Sequence, residues 1–237
     1  RADGKTLAYV YAGDLQGNVW KFDLSKNSAS DWIAIKLFTA THGAKTQPIS
    51  SGVTVAIDPV TSKRWVFFGT GRFLTTDDAN GATTDVQTMY GFMEDDKKTL
   101  TRADLTGRTI ITTGKTGGYE VRGFEKKTAL PSTSKGWYID LPDKGERIVQ
   151  NAQVVATFLV TASMKPAGDA CSSSGGGYIN ALDAFTGTST GGSYFDLNGK
   201  GDKSDSTVNG VPVGSVNVEG GMPTLPNLLR GLLVVGG

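Results

Sequence analysis

The stretch FDLNGKGDKSDSTV, residues 195–208, carries oxygen-bearing side chains at short, regular intervals. Asp196, Asn198 and Gly201 fall at positions 1, 3 and 6 of an EF-hand-like loop. In such a loop the first two residues supply oxygen ligands, and the glycine permits the sharp turn that wraps the ion. The pattern therefore predicts a Ca²⁺ site, and the alternative is a solvated turn rich in Asp and Asn that holds no metal.

A second acidic cluster lies in DDANGATTD, residues 77–85, and contains Asp77, Asp78, Asn80 and Asp85. These side chains have the oxygen chemistry that a cation needs. Nothing in the sequence fixes their geometry, however, so the segment is predicted to be an exposed loop tip.

The remaining reactive residues are few, since the chain has one histidine, His42, and one cysteine, Cys171. A single histidine excludes a site that needs two imidazoles, and a single cysteine cannot form an internal disulfide. His42 has no nucleophile or acid near it in sequence, so we expect a loop histidine. Cys171 is either a free thiol or the partner of a cysteine outside this chain, as occurs in exported proteins.

The composition excludes several classes of function. The 24 basic and 23 acidic residues leave a net charge of +1 with no basic stripe, which argues against nucleic acid as a partner. No run of 18 apolar residues is present, so no membrane-spanning helix is predicted. GTGRF and GKTGG resemble phosphate loops only superficially, because the spacing from Gly107 to Gly114 is wrong for a P-loop.

Most of the chain has the pattern of short strands separated by turns. The 32 glycines are spread along the chain, as expected where tight turns are frequent. Apolar, β-branched and aromatic residues fill the segments between turns, as in LAYVYAGD, SGVTVAID, RWVFFGTG, QTMYGFMED, GWYIDL and AQVVATFLVTAS. Only TRADLTGR and DAFTGT are expected to contain a helical turn. The fold class is therefore all-β.

The same pattern of a strand, an Asp-containing turn and a glycine recurs along the chain, and this repeat predicts a β-propeller. At a period of ~40–50 residues the chain would supply about four to five blades. Long insertions and the apolar run LLRGLLVVGG at the end favour a partial propeller. We therefore expect residues 1–237 to be part of one propeller domain of a longer protein, without its N-terminal part.

The segment AYVYAGDLQGNVWKFDL, residues 8–24, is predicted to be a blade hairpin. Asp14 and Asn18 are expected to bond the turn backbone. Trp20 and Phe22 are two residues apart and so share a face, which is predicted to be the core between blades. Core packing is also the simplest role for the aromatic residues Trp65, Trp137 and Tyr138.

The hairpin YVYAGDLQGNVWKFDL resembles that of the PilY/PilC family, large tip-associated proteins of bacterial type IV pili. Further similar segments follow in order over nearly the whole chain: TQPISSGVTVAID, RWVFFGTGRFL, QTMYGFMED, GWYIDLPDKGERIVQNAQVV, DACSSSGGGYINALDAFTGT, FDLNGKGD and GMPTLPNLL. The resemblance implies a C-terminal β-propeller. It also implies pilus biogenesis, control of retraction and twitching motility, and adhesion.

The family resemblance further implies a calcium loop of the type Asp-x-Asn-x-Asp-x-x-x-Asp. Asp196 and Asn198 match its first positions, whereas Lys200 and Ser204 stand where carboxylates are expected. Lys200 can contribute only its backbone carbonyl, and its ammonium repels the ion, so Ca²⁺ binding is expected to be weakened by more than about tenfold. Asp202 and Asp205 can complete the set if the loop shifts its register.

The preferred function is a non-catalytic pilus-associated scaffold, exported to the periplasm, outer membrane, cell surface or pilus tip. Its expected partners are pilins or minor pilins, and a host-surface receptor. One alternative is a quinone-dependent dehydrogenase propeller, although the usual type needs a complete ring and a vicinal cysteine pair. The other is an outer-membrane assembly scaffold of similar blade pattern.

Overall fold

The computed structural model describes residues 7–79, 85–166, 175–201, 206–218, 221–224, 227–229 and 232–234. Strands dominate these residues, and the helical part consists of single turns. Within the described ranges, no helix combines the length and the apolar character needed to cross a bilayer.

The strands are short and follow one another along the chain as β1 (Tyr9–Gly13), β2 (Asn18–Asp23), β3 (Ile33–Thr39), β4 (Thr41–His42), β5 (Lys45–Thr46), β6 (Thr54–Ile57), β7 (Arg64–Gly69), β8 (Thr88–Met93), β9 (Leu100–Thr101), β10 (Thr106–Arg108), β11 (Ile110–Thr116), β12 (Tyr119–Phe124), β13 (Gly136–Asp140), β14 (Gln153–Val155), β15 (Phe158–Pro166), β16 (Gly175–Asp183), β17 (Thr207–Val208), β18 (Val211–Pro212), β19 (Ser215–Asn217), β20 (Asn227–Leu229) and β21 (Leu232–Val234). One α-helical turn, α1 (Thr76–Ala79), and two 3-10 turns, Ala29–Asp31 and Arg102–Asp104, interrupt them.

Three larger sheets organise the described residues. Sheet I has the order β1-β2-β3-β9, sheet II the order β10-β13-β8-β7-β6, and sheet III the order β11-β12-β19-β16-β15-β14. The pairs β4–β5, β17–β18 and β20–β21 are separate two-stranded ribbons. The all-β prediction is confirmed. The described chain forms three blade-sized sheets rather than four to five, because long connections use residues that the repeat period assigned to strands.

Sheet II lies between the other two and is buried on both faces. Along β7 successive side chains point to opposite faces, so Trp65 and Phe67 join the core shared with sheet III. Val66 and Phe68 join the core shared with sheet I. A strand covered on both faces has no polar side, which explains why apolar residues and glycine follow Arg64 without a break, as WVFFG. This face-to-face packing of successive sheets is that of propeller blades.

Sheet III has a third core on its outer face. Val121, Val160 and Ile179 from three of its strands pack there against Phe195 and Val208 from the connection that follows β16. Phe195 directly precedes the predicted calcium loop. The start of that loop is therefore anchored in the core of the protein.

The hairpin of residues 8–24 is confirmed, with β1 and β2 antiparallel from Tyr9–Asp23 to Gly13–Val19. Asp14 Oδ1 accepts the backbone N–H groups of Gln16 and Asn18, both at 2.9 Å. The Asn18 amide nitrogen donates to the Asp14 carboxylate, and its oxygen accepts from the Thr39 hydroxyl at 3.0 Å. Asp14 therefore organises the turn, while the Asn18 side chain bonds side chains rather than the turn backbone.

The prediction that Trp20 and Phe22 face the core between blades is wrong, because both lie on the more exposed face of the hairpin. The buried residues of β2 are Val19 and Lys21. Lys21 tolerates burial because its ammonium pairs with Glu94 and with Asp96, the latter at 2.7 Å. The pattern of apolar residues in β2 predicted the wrong inner face, because one of the buried positions holds a lysine.

The connections between sheets are bonded to one another at one end of the molecule. Gly71 N–H donates to the Pro48 carbonyl at 2.7 Å, and Ile148 N–H donates to the Thr70 carbonyl at 2.9 Å. A Cβ added at Gly69 would lie 2.3 Å from Ile148, so glycine is needed where β7 ends. These contacts bring the loops of all three sheets together.

Both predicted helical turns correspond to turns in the structure. TRADLTGR contains the 3-10 turn Arg102–Asp104. In DAFTGT, Asp183 Oδ1 accepts the N–H groups of Phe185 and Thr186, which forms a capped turn after β16.

Candidate functional site

The predicted calcium loop begins as a tight coil around the Asp196 carboxylate. Asp196 Oδ1 accepts the N–H of Gly199 at 2.9 Å, and Oδ2 accepts the N–H of Gly201 at 2.8 Å. Both glycines have positive φ, 71° and 79°, which the sharp turn requires. Leu197 N–H donates to the Ser206 hydroxyl at 3.2 Å, so the start and end of the loop are held together. The described part of the loop, residues 196–201, has the compact turn that a cation loop or an Asx turn needs.

Hydrogen bonds within the coil occupy most of the acceptor sites of the Asp196 carboxylate. A carboxylate oxygen has two lone-pair sites. Oδ1 of Asp196 accepts the N–H groups of both Asn198, at 3.3 Å, and Gly199, whereas Oδ2 accepts only the Gly201 N–H among the described residues and keeps one site for a cation. Asn198 Oδ1 accepts the Lys200 N–H at 3.0 Å, and the Lys200 residue is exposed. Asp202, Ser204 and Asp205 lie outside the described residues. The ligand set therefore stays a prediction, and within the described part no group of three His, Cys, Asp or Glu side chains could hold a metal.

The second acidic cluster does not form an exposed loop tip at Asp78, which is buried. Its carboxylate accepts from Arg72 Nε at 2.9 Å and from the N–H groups of Leu74 and Thr75. Burial by itself would raise the pKa of Asp78, but the Leu74 amide, Arg72 and Thr75 together hold that pKa below its ordinary value. Asp78 therefore holds the segment from Arg72 to Thr75 in place, a structural role that the cluster of acidic residues in the sequence did not indicate.

The other described members of this cluster have surroundings different from those of Asp78. Asp85 pairs with Lys45 at 2.6 Å, whereas Asp77 lies exposed in α1. Asn80 lies outside the described residues. Asp78 and Asp85 line the same cavity but are held by different cations, and the described acidic side chains of residues 77–85 do not form a group of three that could hold a metal.

His42 lies beside a carboxylate that the sequence did not connect with it. His42 Nε2 is 3.9 Å from Asp140 Oδ2, and the imidazole is about half exposed. Asp140 also accepts from Arg102 Nη1 at 2.8 Å and from the Thr88 hydroxyl at 2.7 Å. With these closer partners, Asp140 fixes the Arg102 side chain against sheet II rather than orienting the imidazole.

The aromatic residues Trp65, Trp137 and Tyr138 pack in the two cores on either side of sheet II. Trp65 and Trp137 are buried in the core between sheets II and III, and Trp137 Nε1 donates to the Ala184 carbonyl at 2.8 Å. Tyr138 packs at the edge of the other core, with the Arg102 guanidinium 3.7 Å from its ring. The packing role predicted for these three residues is confirmed. Cys171 lies outside the described residues, and its pairing stays open.

Three described arginines, Arg108, Arg122 and Arg147, are buried, and the sequence did not indicate this. Arg122 on β12 forms a bidentate pair with Glu146, with N–O distances of 2.9 and 3.0 Å. Arg147 is also buried, and its bonds go to backbone carbonyls. For Arg122, the sequence feature that could have indicated burial is a charged residue inside the otherwise strand-like segment YEVRGF.

Comparison with known families points to one kind of domain. A family model described as the PilY1 beta-propeller domain matches residues 1–116. The Type IV pilus biogenesis factor PilY1 homolog of Xylella fastidiosa is 36% identical over 96% of this chain. The Type IV pilus biogenesis factor PilY1 of Pseudomonas aeruginosa is 27% identical over 85% of this chain. The chain spans only 18% and 21% of the lengths of these two relatives.

A solved structure extends the similarity to the fold. The crystal structure of the Pseudomonas aeruginosa PilY1 C-terminal domain superimposes with a TM-score of 0.79 at 25% sequence identity. The match covers 96% of this chain and 57% of that chain. The three sheets therefore correspond to part of a larger propeller, as the sequence analysis predicted.

Proposed function

The chain is part of a PilY1-type C-terminal β-propeller, and on this premise we propose that it serves type IV pilus biogenesis as a rigid, non-catalytic binding scaffold. The observation that carries the proposal is the structural match over 96% of the chain. The relatives are named as pilus biogenesis factors, which favours a binding role over the dehydrogenase alternative.

The layered core suits a scaffold whose loops contact other proteins. Sheet II is held on both faces by aromatic clusters, which limits motion between the sheets. Exposed loops at the sheet ends are then presented in fixed positions. Their proposed partners are pilins or minor pilins at the pilus tip, and a host-surface receptor. Retraction control, twitching motility and adhesion follow from these contacts, with the domain at the cell surface or pilus tip.

Disrupting the core tests the scaffold proposal in a pilus-producing bacterium. Trp137→Ala in the full-length protein removes a fully buried ring and is expected to cost about 3–5 kcal/mol of folding stability. Surface pili and twitching should fall with it, while the exposed control Tyr119→Ala retains both. Normal piliation in a strain whose propeller has become protease-sensitive would refute the scaffold role.

We further propose that Ca²⁺ modulates this scaffold through the loop that begins at Asp196. The Asp196 carboxylate and the Asn198 amide oxygen would be ligands, Lys200 would contribute its carbonyl, and the remaining oxygens would come from the predicted set Asp202, Ser204 and Asp205. The support is the coiled backbone between Asp196 and Gly201 and its anchoring at Phe195. Ion binding would then stiffen a loop that a partner contacts.

Calorimetric titration of chelator-stripped protein with Ca²⁺ tests this modulation. Binding should disappear in Asp196→Ala and persist in the control Asp31→Ala, which removes an exposed carboxylate far along the chain. Equal heats in Asp196→Ala and in the unmodified protein would place any Ca²⁺ elsewhere. Pilus assembly that is insensitive to chelator would remove calcium control and leave the scaffold role intact.

A further inference from the structure

A cavity of about 290 Å³ lies where the connections of the three sheets meet. Its walls come from the segment after β4, the segment after β7, the residues before β8 and the loop before β14. The volume is just below the range that is typical of small-molecule sites, ~300–1,000 Å³. Its lining is rich in polar and charged side chains, including Lys45, Arg72, Gln87 and Arg147.

The charged side chains of the wall pair off and leave one positive charge. Lys45 is 2.6 Å from Asp85, and Arg72 is 2.9 Å from Asp78. Arg147 has no carboxylate within ion-pair distance among the described residues. His42 at the rim is half exposed. The cavity is therefore suited to one negative charge.

Arg147 is buried yet has only neutral partners. Its Nε donates to the Gly145 carbonyl, and Nη1 donates to the carbonyls of Arg72 and Asp78, each at 3.0 Å. Nη2 has no acceptor among the described residues. Burial lowers the pKa of Arg147 from its ordinary value, and Arg72 adds to this effect while the Asp78 carboxylate opposes it. A carboxylate would supply both the missing acceptor and the missing charge.

Gln87 adds an unsatisfied acceptor to the same wall. Its Nε2 donates to the Asp85 carbonyl at 3.3 Å, but Oε1 has no donor among the described residues. Oε1 of Gln87 and Nη2 of Arg147 are both covered from solvent. A ligand that bonds these two atoms must therefore open the part of the wall that covers them, while the Lys45–Asp85 and Arg72–Asp78 pairs stay in place.

We propose that this cavity binds a small monocarboxylate that carries an O–H or N–H donor next to its carboxylate. The carboxylate pairs with the Arg147 guanidinium, and the donor satisfies Gln87 Oε1. A dianion is disfavoured because Asp78 and Asp85 also line the cavity. The same chemistry exists in a free hydroxy acid and at the carboxyl end of a peptide chain. This proposal does not depend on the role in pilus biogenesis.

Binding of four small probes to the full chain, measured by calorimetry or NMR, tests the proposal. Lactate represents the free hydroxy acid, N-acetylglycine represents a chain end, and propionate lacks the donor. N-acetylglycinamide lacks the charge. Lactate or N-acetylglycine should bind about tenfold more tightly than propionate, since one hydrogen bond to a buried acceptor is of that size. The preference between the first two identifies the source, and the amide should not bind.

Two variants locate the binding to this cavity. Gln87→Met removes an unsatisfied oxygen atom, so the variant should fold normally. In this variant, the preference for lactate or N-acetylglycine over propionate should fall below about twofold. Arg147→Lys keeps the positive charge but cannot donate two parallel hydrogen bonds to a carboxylate. It should therefore weaken the binding of all three carboxylate probes. The remote substitution Lys97→Met is the control. No binding of any carboxylate at millimolar concentration, or an unchanged preference in a folded Gln87→Met variant, would overturn the proposal.

Discussion

The buried ion pair of sheet III allows a stability prediction whose size follows from the structure. Arg122 and Glu146 are both almost fully buried, and Ser163 also donates to Glu146 Oε1. The isosteric substitution Glu146→Gln removes the negative charge without opening a cavity. Removing one partner of a buried pair costs about 3–5 kcal/mol, because the other charge stays behind uncompensated. Asp143, 3.0 Å from Arg122 and partly exposed, offsets some of this loss. We therefore expect a loss of about 3 kcal/mol.

Urea or thermal unfolding of the variant measures this loss. For a chain of this size, 1 kcal/mol shifts Tm by ~2–4 °C, so Tm should fall by roughly 6–12 °C. The control Glu120→Gln removes an exposed carboxylate on β12 and should change stability by less than about 0.5 kcal/mol. The double substitution Arg122→Met with Glu146→Leu should cost less than Glu146→Gln alone. A loss below about 1 kcal/mol for Glu146→Gln would refute the reasoning that the uncompensated charge dominates.

Three further predictions concern the positions that hold loops and sheets together. Asp14→Ala should destabilise the first hairpin by about 1–2 kcal/mol, since the carboxylate holds the Gln16 and Asn18 amides; hydrogen exchange of these amides should rise, and unchanged protection would contradict it. Gly69→Ala should cost about 1–3 kcal/mol by urea unfolding through its clash beside Ile148, and a neutral effect would mean that the sheets shift freely. For Asp78 the folded pKa lies below the ordinary value of 3.8, so its contribution to stability is present above pH 3.8 and is lost as pH falls through the folded pKa. Asp78→Asn should therefore destabilise at pH 7 and have a shrinking effect in acid unfolding curves below pH 4, and a cost independent of pH would contradict that sign.

The strands and the stacking of sheets were predictable because they depend on local patterns. RWVFFG and TMYGFM have apolar residues at nearly every position, and such runs occur in strands covered on both faces. The turn at Asp14 was predictable for the same reason, since a carboxylate bonds amides two to four residues away. The start of the loop at Asp196 also forms from neighbouring residues.

The inner face of β2 was not predictable from these patterns. Alternation marks Trp20 and Phe22 as core, yet Lys21 is the buried residue. Its partners Glu94 and Asp96 lie 73 and 75 positions further along the chain. Only the packing of sheet I against sheet II brings these charges together, and only that proximity offsets the free-energy cost of burying an ammonium.

Local sequence patterns were enough to predict an all-β chain of propeller type, the turns that join its strands and the family that the chain resembles. These features rest on interactions between residues a few positions apart. Where charge is buried depends on tertiary packing, as in the pairing of Arg122 with Glu146, the anchoring of Asp78, and the position of Arg147 beside a cavity with no acceptor for its Nη2 among the described residues. Desolvation of a charged group depends on which distant segments cover it, and that arrangement exists only after the sheets have packed.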